Sequence, residues 1–277
     1  MLLGLQTLFG RPRGFFIPHR YANDAGAPGR RPRYDSVDVL LRKVQPDLEH
    51  VIDDVDEFGP SLLEIGRDPP PAPRWQQDWF PRLDAAVAYT IIRRHRPARL
   101  IEVGSGHSTR FFARAAADAG YSLQLTAIDP QPRADITTLA RTMMPWVVQG
   151  GGLDVFEALG AGDVLSIDSS HVLMPGTDVD YLINRVLPRL PAGVLVHIHD
   201  IFLPEDYPAD WAWRGYNEQL AVAALLQGGG WRIRWSSRFA LSALRERLAR
   251  SVVARLPLVP GAVESSLWLS RCDGDQE

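Results

Sequence analysis

The sequence predicts an α/β fold: a doubly wound parallel sheet with an N-terminal helical arm. Three observations predict it. Short apolar runs alternate with helix-patterned stretches from about residue 81 onward, the signature of strands joined by crossover helices. A Gly-Ser-Gly turn at 104–106 follows the first apolar run and opens a helix. Hydrophobic residues make up 45% and charged residues 23% of 277 residues, so a disordered or collagen-like chain is excluded.

The elements follow in order. Residues 1–34 are rich in Arg, Pro and Gly and read as an irregular arm. A helix follows, with Asp35 or Ser36 as cap, because a short polar side chain there accepts from the free N–H groups of the first turn. Val37, Leu41, Val44, Leu48, Val51, Val55 and Phe58 are spaced alternately by four and three, which keeps one apolar stripe on one face. Pro46 is expected to kink or split this helix. Asp53, Asp54, Asp56 and Glu57 are expected to form a solvated face. An isolated helix cannot satisfy the stripe in water, so residues 36–58 are expected to pack on the main domain or on a second subunit. The Pro-rich run at 69–80 reads as a stiff linker. The chain then divides into an arm and helical segment at 1–68, the linker, and the main domain at 81–277. Strands are expected at 99–103, 122–128, 146–149, 163–167, 194–198, 231–236 and 266–269. Helices are expected at 84–95, 108–119, 134–143, 155–159, 179–187, 217–227 and 244–256.

Thirty basic against 33 acidic residues give a net charge of -3, which argues against a chain-wide nucleic-acid footprint. Cys272 is the only cysteine, so no intrachain disulfide and no cysteine-rich metal site is expected, and a reducing, cytoplasmic location is the default. No run of ~18 apolar residues occurs, so no membrane span is expected. The first nine residues make a poor signal peptide.

The chemistry concentrates in LIEVGSGHSTRFFARAA, residues 100–116. Glycines there let the backbone approach a ligand, and the helix N-terminus suits a carboxylate or phosphate. A dinucleotide wants G-x-G-x-x-G, but Thr109 stands at the third position, an imperfect match. Two carboxylates decide between ligands. Glu102 precedes the first glycine, where it can accept from an ammonium group. Asp129 ends the second strand, where it can accept from both ribose hydroxyls. A pyrophosphate facing Glu102 would be repelled. An amino-acid head on an adenosine body satisfies both, and that ligand is S-adenosylmethionine.

These residues resemble the class I S-adenosylmethionine-dependent methyltransferases, over about residues 81–271. EVGSGHST, AIDP, VLSIDSSH and GVLVHIHDIF carry the resemblance. The chain looks most like bacterial small-molecule enzymes related to catechol and macrolide O-methyltransferases. The resemblance implies a Rossmann-like sheet of seven strands, the last antiparallel. It implies that Glu102, Gly104, Ser105, Gly106, His107 and Ser108 surround the methionine end of the cofactor, that Asp129 binds ribose, that the turn containing Gly152 lines adenine, and that Asp168 closes the site.

In open α/β sheets ligands bind beyond the carboxyl ends of the strands. Asp168 and His171 follow the fourth expected strand, and His199 and Asp200 end the fifth. In catechol-type enzymes the matching positions bind Mg²⁺, and the resemblance maps them to Asp168, His199 and Asp200. The family pair is Asp and Asn, so His199 departs from the pattern. Two carboxylates and an imidazole suit Mn²⁺, Fe²⁺ or Zn²⁺ at least as well as Mg²⁺. The alternative is a metal-free site in which a histidine, His199, acts alone as general base; Asp168 and His171 are the other catalytic candidates. His197 alternates inward and reads as structural. The aromatic segment 202–219 reads as an acceptor-pocket wall or lid.

The expected function is methyl transfer to a small-molecule hydroxyl, with a small-molecule acceptor as partner and a homodimer through the N-terminal helix as one arrangement. Two other classes compete. An RNA methyltransferase would clamp RNA with Arg11, Arg13, Arg20, Arg30, Arg31 and Arg33 beside Phe15, Phe16 and Tyr21. A non-methylating, metal-dependent relative would share only the fold.

Overall fold

The computed structural model describes residues 33–272 continuously and, before them, residues 5–7, 9, 14, 15, 17, 19–21, 24, 26 and 31. Most of the expected N-terminal arm, including Arg11, Arg13, Phe16 and Arg30, lies outside the described residues.

The apolar stripe folds as three short helices: α1 (Asp35–Lys43), α2 (Gln45–Glu57) and α3 (Gly59–Glu64). Pro46 sits in the first turn of α2, where its missing N–H costs nothing, so the chain splits there as expected. Helix α1 starts one residue before Ser36, and no side chain caps it. Asp35 is a helical residue, not the cap, and its charge instead complements the positive helix end. Val37, Leu41, Leu48, Ile52, Val55 and Leu62 are buried in the same core as the sheet, each contributing about 1.5–3 kcal/mol if fully transferred from water. The stripe is thus covered within one chain. The acidic face of α2 is not simply solvated. Arg247 pairs with Asp53 at 2.6 Å and Asp56 at 2.8 Å, and Asp56 accepts from the Val252 amide at 2.7 Å. The acids therefore clamp the C-terminal helices onto α2.

The Pro-rich run is held in place by its aromatics. Trp75 and Phe80 are buried, the first 5.1 Å from the Phe111 ring and the second 5.6 Å from the rings of both His197 and His199.

Helix α4 (Arg82–His95) leads into β1 (Arg99–Val103), α5 (His107–Asp118), β2 (Gln124–Ile128) and β3 (Thr142–Met144). A short α6 (Asp154–Glu157) precedes β4 (Val164–Ile167). Helix α7 (Asp178–Tyr181) runs on through one π turn, Leu182–Val186, to β5 (Leu195–Ile198). Then come α8 (Glu218–Gln227), β6 (Trp231–Ser236), α9 (Ser237–Ala243), α10 (Arg245–Ala249) and β7 (Leu267–Arg271). The sheet has seven strands in the order β3-β2-β1-β4-β5-β7-β6. β7 lies antiparallel between β5 and β6, and the other neighbouring pairs are parallel. This is the Rossmann-like α/β architecture with a reversed last strand.

Three expectations differ. The helix expected at 244–256 is only α10, followed by a separate 3₁₀ turn at Val252–Arg255. Residues 134–143 do not form a helix; their end is the edge strand β3, whose Thr142 pairs with Thr126. The run at 146–149, expected as a strand, is a bend entering a 3₁₀ turn at Val148–Gly150. Pro145 separates the two segments, and a proline cannot supply the amide that a continued ladder needs.

The register positions the site. Ile128, Val103, Ile167, Ile198 and Leu267 lie in one row across β2, β1, β4, β5 and β7. The next residues along the parallel strands are therefore Asp129, Gly104, Asp168 and His199, side by side at the carboxyl ends. The reversal of strand order falls between β1 and β4, where the crevice of a doubly wound sheet opens.

Candidate functional site

Two adjoining cavities occupy that crevice. The larger, about 540 Å³, is lined by Gly104 and Ser105 after β1, by Asp129 to Arg133 after β2, by Trp146 to Val148, and by Asp168 and Ser169 after β4. Ligand clefts typically run ~300–1,000 Å³. The smaller, about 120 Å³, is lined by Asp168, His171, His199 and Asp200 together with Trp79, Arg133, Trp211, Arg214 and Tyr216. Asp168 and Arg133 belong to both, so the two cavities meet at those side chains.

The turn after β1 requires its glycine. Gly104 has φ +76°, and a Cβ there would stand 1.8 Å from the Asp168 carbonyl oxygen. Any side chain would push β1 and β4 apart at the mouth of the cleft. Asp129 is tied to this turn: one carboxylate oxygen accepts from the Ser105 amide at 2.6 Å and its hydroxyl at 3.1 Å, the other from the Gln131 amide at 2.7 Å.

The other residues expected around a cofactor are less uniformly placed. Ser105 and Asp168 line the large cavity, whereas Glu102, Gly106, His107, Ser108 and Gly152 do not. Glu102 is fully buried behind the turn and accepts from the hydroxyls of Ser108 and Thr109. Burial pushes its carboxyl up to about 8, against the pull of those two hydroxyls. His107 is buried at the start of α5 with Nδ1 unpartnered; burial, with Arg110 nearby, brings it down to about 4, so it is neutral at pH 7. Gly152 is exposed, and the wall expected of its turn is built by Trp146, Val147 and Val148 instead. Trp146 and Val147 were legible only as an apolar run; their exposure at the cleft is what marks them.

The small cavity rests on a buried network. His171 Nδ1 lies 2.8 Å from Glu218 and Nε2 lies 3.2 Å from Asp168. His199 Nε2 faces Asp84 at 3.4 Å, and Nδ1 faces Asp168 at 3.6 Å and Asp200 at 3.7 Å. Burial would lower both imidazoles. The carboxylates outweigh it, Asp168 and Glu218 for His171, Asp200 and Asp168 for His199, and hold both well above the usual histidine range. Burial would likewise raise Asp168, but His199 and His171 hold it well below the usual carboxylate range. His171 and Asp200 both carry positive φ, +58° and +54°, a conformation that costs non-glycine residues roughly 1–3 kcal/mol and gathers at functional sites. Asp84, in the first turn of α4, was not singled out in the sequence, and Glu218, in the first turn of α8, was legible only as a polar member of the aromatic segment 202–219. Only the fold brings them to the strand ends. His197 is different: its ring nitrogens each lie 2.9 Å from a serine hydroxyl, Ser166 and Ser266, and burial brings it down to about 3, a neutral core histidine.

A metal bound by Asp168, His199 and Asp200 finds no support in this arrangement. Among the described residues no group of three His, Cys, Asp or Glu side chains is arranged to hold a metal ion. Of the arginines considered for RNA, Arg31 pairs with Asp206 and Arg33 with Asp38 and Glu205.

The charges set a pH signature. His171 and His199 are raised in the folded state, so their contribution is present below the unfolded histidine pKa of ~6.5 and is lost as pH rises through their folded values. Glu102 acts in the same direction, because the folded state holds its proton up to about 8. We expect the melting temperature to fall steadily from pH 6 to pH 9. A flat or rising profile over that range would show that the imidazoles are not charged in the folded protein.

Several solved structures share features of this chain. The SAH-bound methyltransferase PaMTH1 of Podospora anserina is 14% identical, with a TM-score of 0.44 over 94% of this chain and 100% of that one. The plantazolicin methyltransferase BpumL, solved with SAH, is 12% identical, with a TM-score of 0.42 over 83% and 100%. A putative methyltransferase from Thermobifida fusca is 12% identical, with a TM-score of 0.34 over 82% and 95%. No curated protein matches the sequence. Among the described residues no helix is long and apolar enough to cross a membrane. Residues 101–201, from β1 to just past β5, match the family model described as a methyltransferase domain.

Proposed function

We propose that the chain transfers a methyl group from S-adenosylmethionine to a hydroxyl of a small molecule, with residues 81–277 as the catalytic unit and the helices α1 to α3 of the segment before it as its packed accessory. The observation that carries this reading is the shared wall: Asp168 lines both a cleft of cofactor size and a small cavity floored by ionised groups. The residues present fit the cofactor. Asp129 and the Gln131 backbone stand at the end of β2 for the ribose hydroxyls, Trp146 and Val147 offer an exposed apolar shelf for adenine, and Gly104 lets the backbone close in. Glu102 lies behind the turn, where an ammonium group reaching the Ser108 and Thr109 hydroxyls would restore its charge. The bound cofactor supplies an electrophilic methyl group on a sulfonium, so the protein must orient and deprotonate the acceptor.

Asp168 is the network carboxylate nearest that junction, and two imidazolium rings keep it ionised. It accepts the hydrogen bond from the acceptor hydroxyl. His171 links it to Glu218, whose carboxyl burial raises against the pull of His171 itself. The hydroxyl proton moves to Asp168 while the Nδ1 proton of His171 moves to Glu218, so the triad takes up one proton as the acceptor oxygen attacks. His199, fixed by Asp84, holds the other side of Asp168.

Calorimetry with S-adenosylhomocysteine tests the cofactor assignment. We expect binding that Asp129→Ala weakens by about 1–3 kcal/mol, the scale of a lost hydrogen bond to a charged group. Tighter binding of NAD than of either sulfur nucleoside would refute it.

A further inference from the structure

The lining of the small cavity beyond the ionised network has its own chemistry. It carries two guanidinium groups, each laid on an indole: Arg133 is 3.8 Å from the centroid of Trp79, and Arg214 is 4.0 Å from that of Trp211. Neither arginine makes an ion pair among the described residues, although 30 basic residues face 33 acidic ones in the chain. Arg214 donates to the Tyr216 hydroxyl at 3.2 Å, while its Nε–H is shut off from water and meets no acceptor. Such a donor lacks the partner that buried polar groups normally find. The carboxylates of that network do not supply it. Asp168 and Asp200 are engaged by His171 and His199, and Asp78 is exposed at the rim, where water and salt screen it.

The shape adds a second restriction. The cavity holds only about 120 Å³, and its lining is aromatic. The Tyr216 ring lies 4.6 Å from the His171 ring at 48° and 6.0 Å from the Trp211 ring at 87°. Rings set at such angles favour a further aromatic ring, edge to face or offset, and a guanidinium over an indole still presents N–H groups that pair with a carboxylate.

We propose that the acceptor is a small planar carboxylic acid, an aromatic or heteroaromatic ring whose carboxylate is held by Arg214, with Arg133 at the exposed rim, while its hydroxyl points at Asp168. Only the placement of the hydroxyl rests on the methyl-transfer reading; the charge and planarity of the ligand rest on the wall itself.

Probes of one shape and three charges test this without knowledge of the natural acceptor. Benzoate, benzamide and benzamidine are titrated by ligand-observed NMR into the full chain saturated with S-adenosylhomocysteine, with cyclohexanecarboxylate as the non-planar acid. Benzoate is expected to bind about tenfold or more tightly than benzamide, the fold-change of one charged hydrogen bond, and more tightly than cyclohexanecarboxylate. Arg214→Gln should remove the benzoate advantage, and Arg214→Lys should restore only part of it, because the charge returns without the planar edge. Benzamidine binding best, equal binding of benzoate and benzamide, equal binding of the planar and non-planar acids, or no benzoate binding would each overturn the proposal. The wild-type comparison stands even if a variant fails to fold. S-adenosylhomocysteine affinity is measured separately: its absence alongside benzoate binding would sink the methyl-transfer reading and leave the acid-binding wall intact.

Discussion

Replacing Asp84 with alanine is expected to destabilise the protein by about 3–5 kcal/mol, the cost of leaving one partner of a buried ion pair uncompensated. Asp84 is fully buried. One of its oxygens accepts from the Ser237 hydroxyl at 2.5 Å and the Ser266 amide at 3.0 Å; the other accepts from the Ser265 amide at 2.9 Å and faces His199 at 3.4 Å. It therefore joins α4, the β6–α9 junction, the entry to β7 and the end of β5. Alanine would strand two backbone amides and one side of a charged imidazole in the interior, where no water replaces the lost acceptor. Asp84→Asn keeps the volume but turns an N–H₂ toward groups that donate, so it should fall between wild type and alanine. Chemical denaturation of the three proteins measures this. A loss below 1 kcal/mol for Asp84→Ala would mean that His199 is neutral and that the carboxylate is dispensable. The expected acid limb of stability has the same origin. Asp84 is held below its usual range, burial being outweighed by His199, so its contribution is present above the unfolded value of ~3.9 and lost as pH falls below it.

Asp84 also shows where sequence reasoning stops. The strands β1 and β6 were legible to the residue, because an apolar run ending in a polar turn has one plausible reading. Gly104 was legible because a strand-turn-helix junction demands a residue free of Cβ, and the Asp168 carbonyl stands where that Cβ would go. The split at Pro46 followed from the proline itself. Asp84 was not legible, and Glu218 only as a member of the aromatic segment 202–219, since an acid in the first turn of a helix reads as a partner for the helix dipole. Their second role depends on which strand end the helix docks against, and no local pattern encodes that. The edge strand β3 was misread as helix for the same reason. Residues 134–143 carry helix-compatible spacing, and only pairing with β2 draws Thr142–Met144 into an extended form. Trp75 and Phe80 were hidden inside a proline-rich run, which suggests a spacer by composition although its aromatics anchor it in the core. The histidines were legible as residues and illegible as charges. Whether an imidazole ligates, accepts a proton or carries one depends on the carboxylates around it, and two of those came from elements far away in sequence.

That distinction leads to the largest expected effect on activity. With a labelled methyl donor and a turned-over acceptor, Asp168→Asn is expected to lower kcat by about 10²–10⁴-fold, the range of a lost general base. Asparagine keeps the shape of the wall and removes the charge that accepts the hydroxyl proton. Glu218→Gln should lower kcat in the same direction. Glu218 does not line either cavity, so affinity for S-adenosylhomocysteine and the acceptor KM should stay near wild type. A purely structural Glu218 would move KM, stability and kcat together, whereas a proton acceptor moves kcat and its pH profile. EDTA should leave all of these rates unchanged, because the proton route through Asp168, His171 and Glu218 uses no metal. Inhibition by EDTA with recovery on adding a divalent ion would restore the metal reading and place His199 among its ligands. Full activity of both Asp168→Asn and His199→Ala would instead remove the network from the chemistry and leave the proton of the acceptor to water alone.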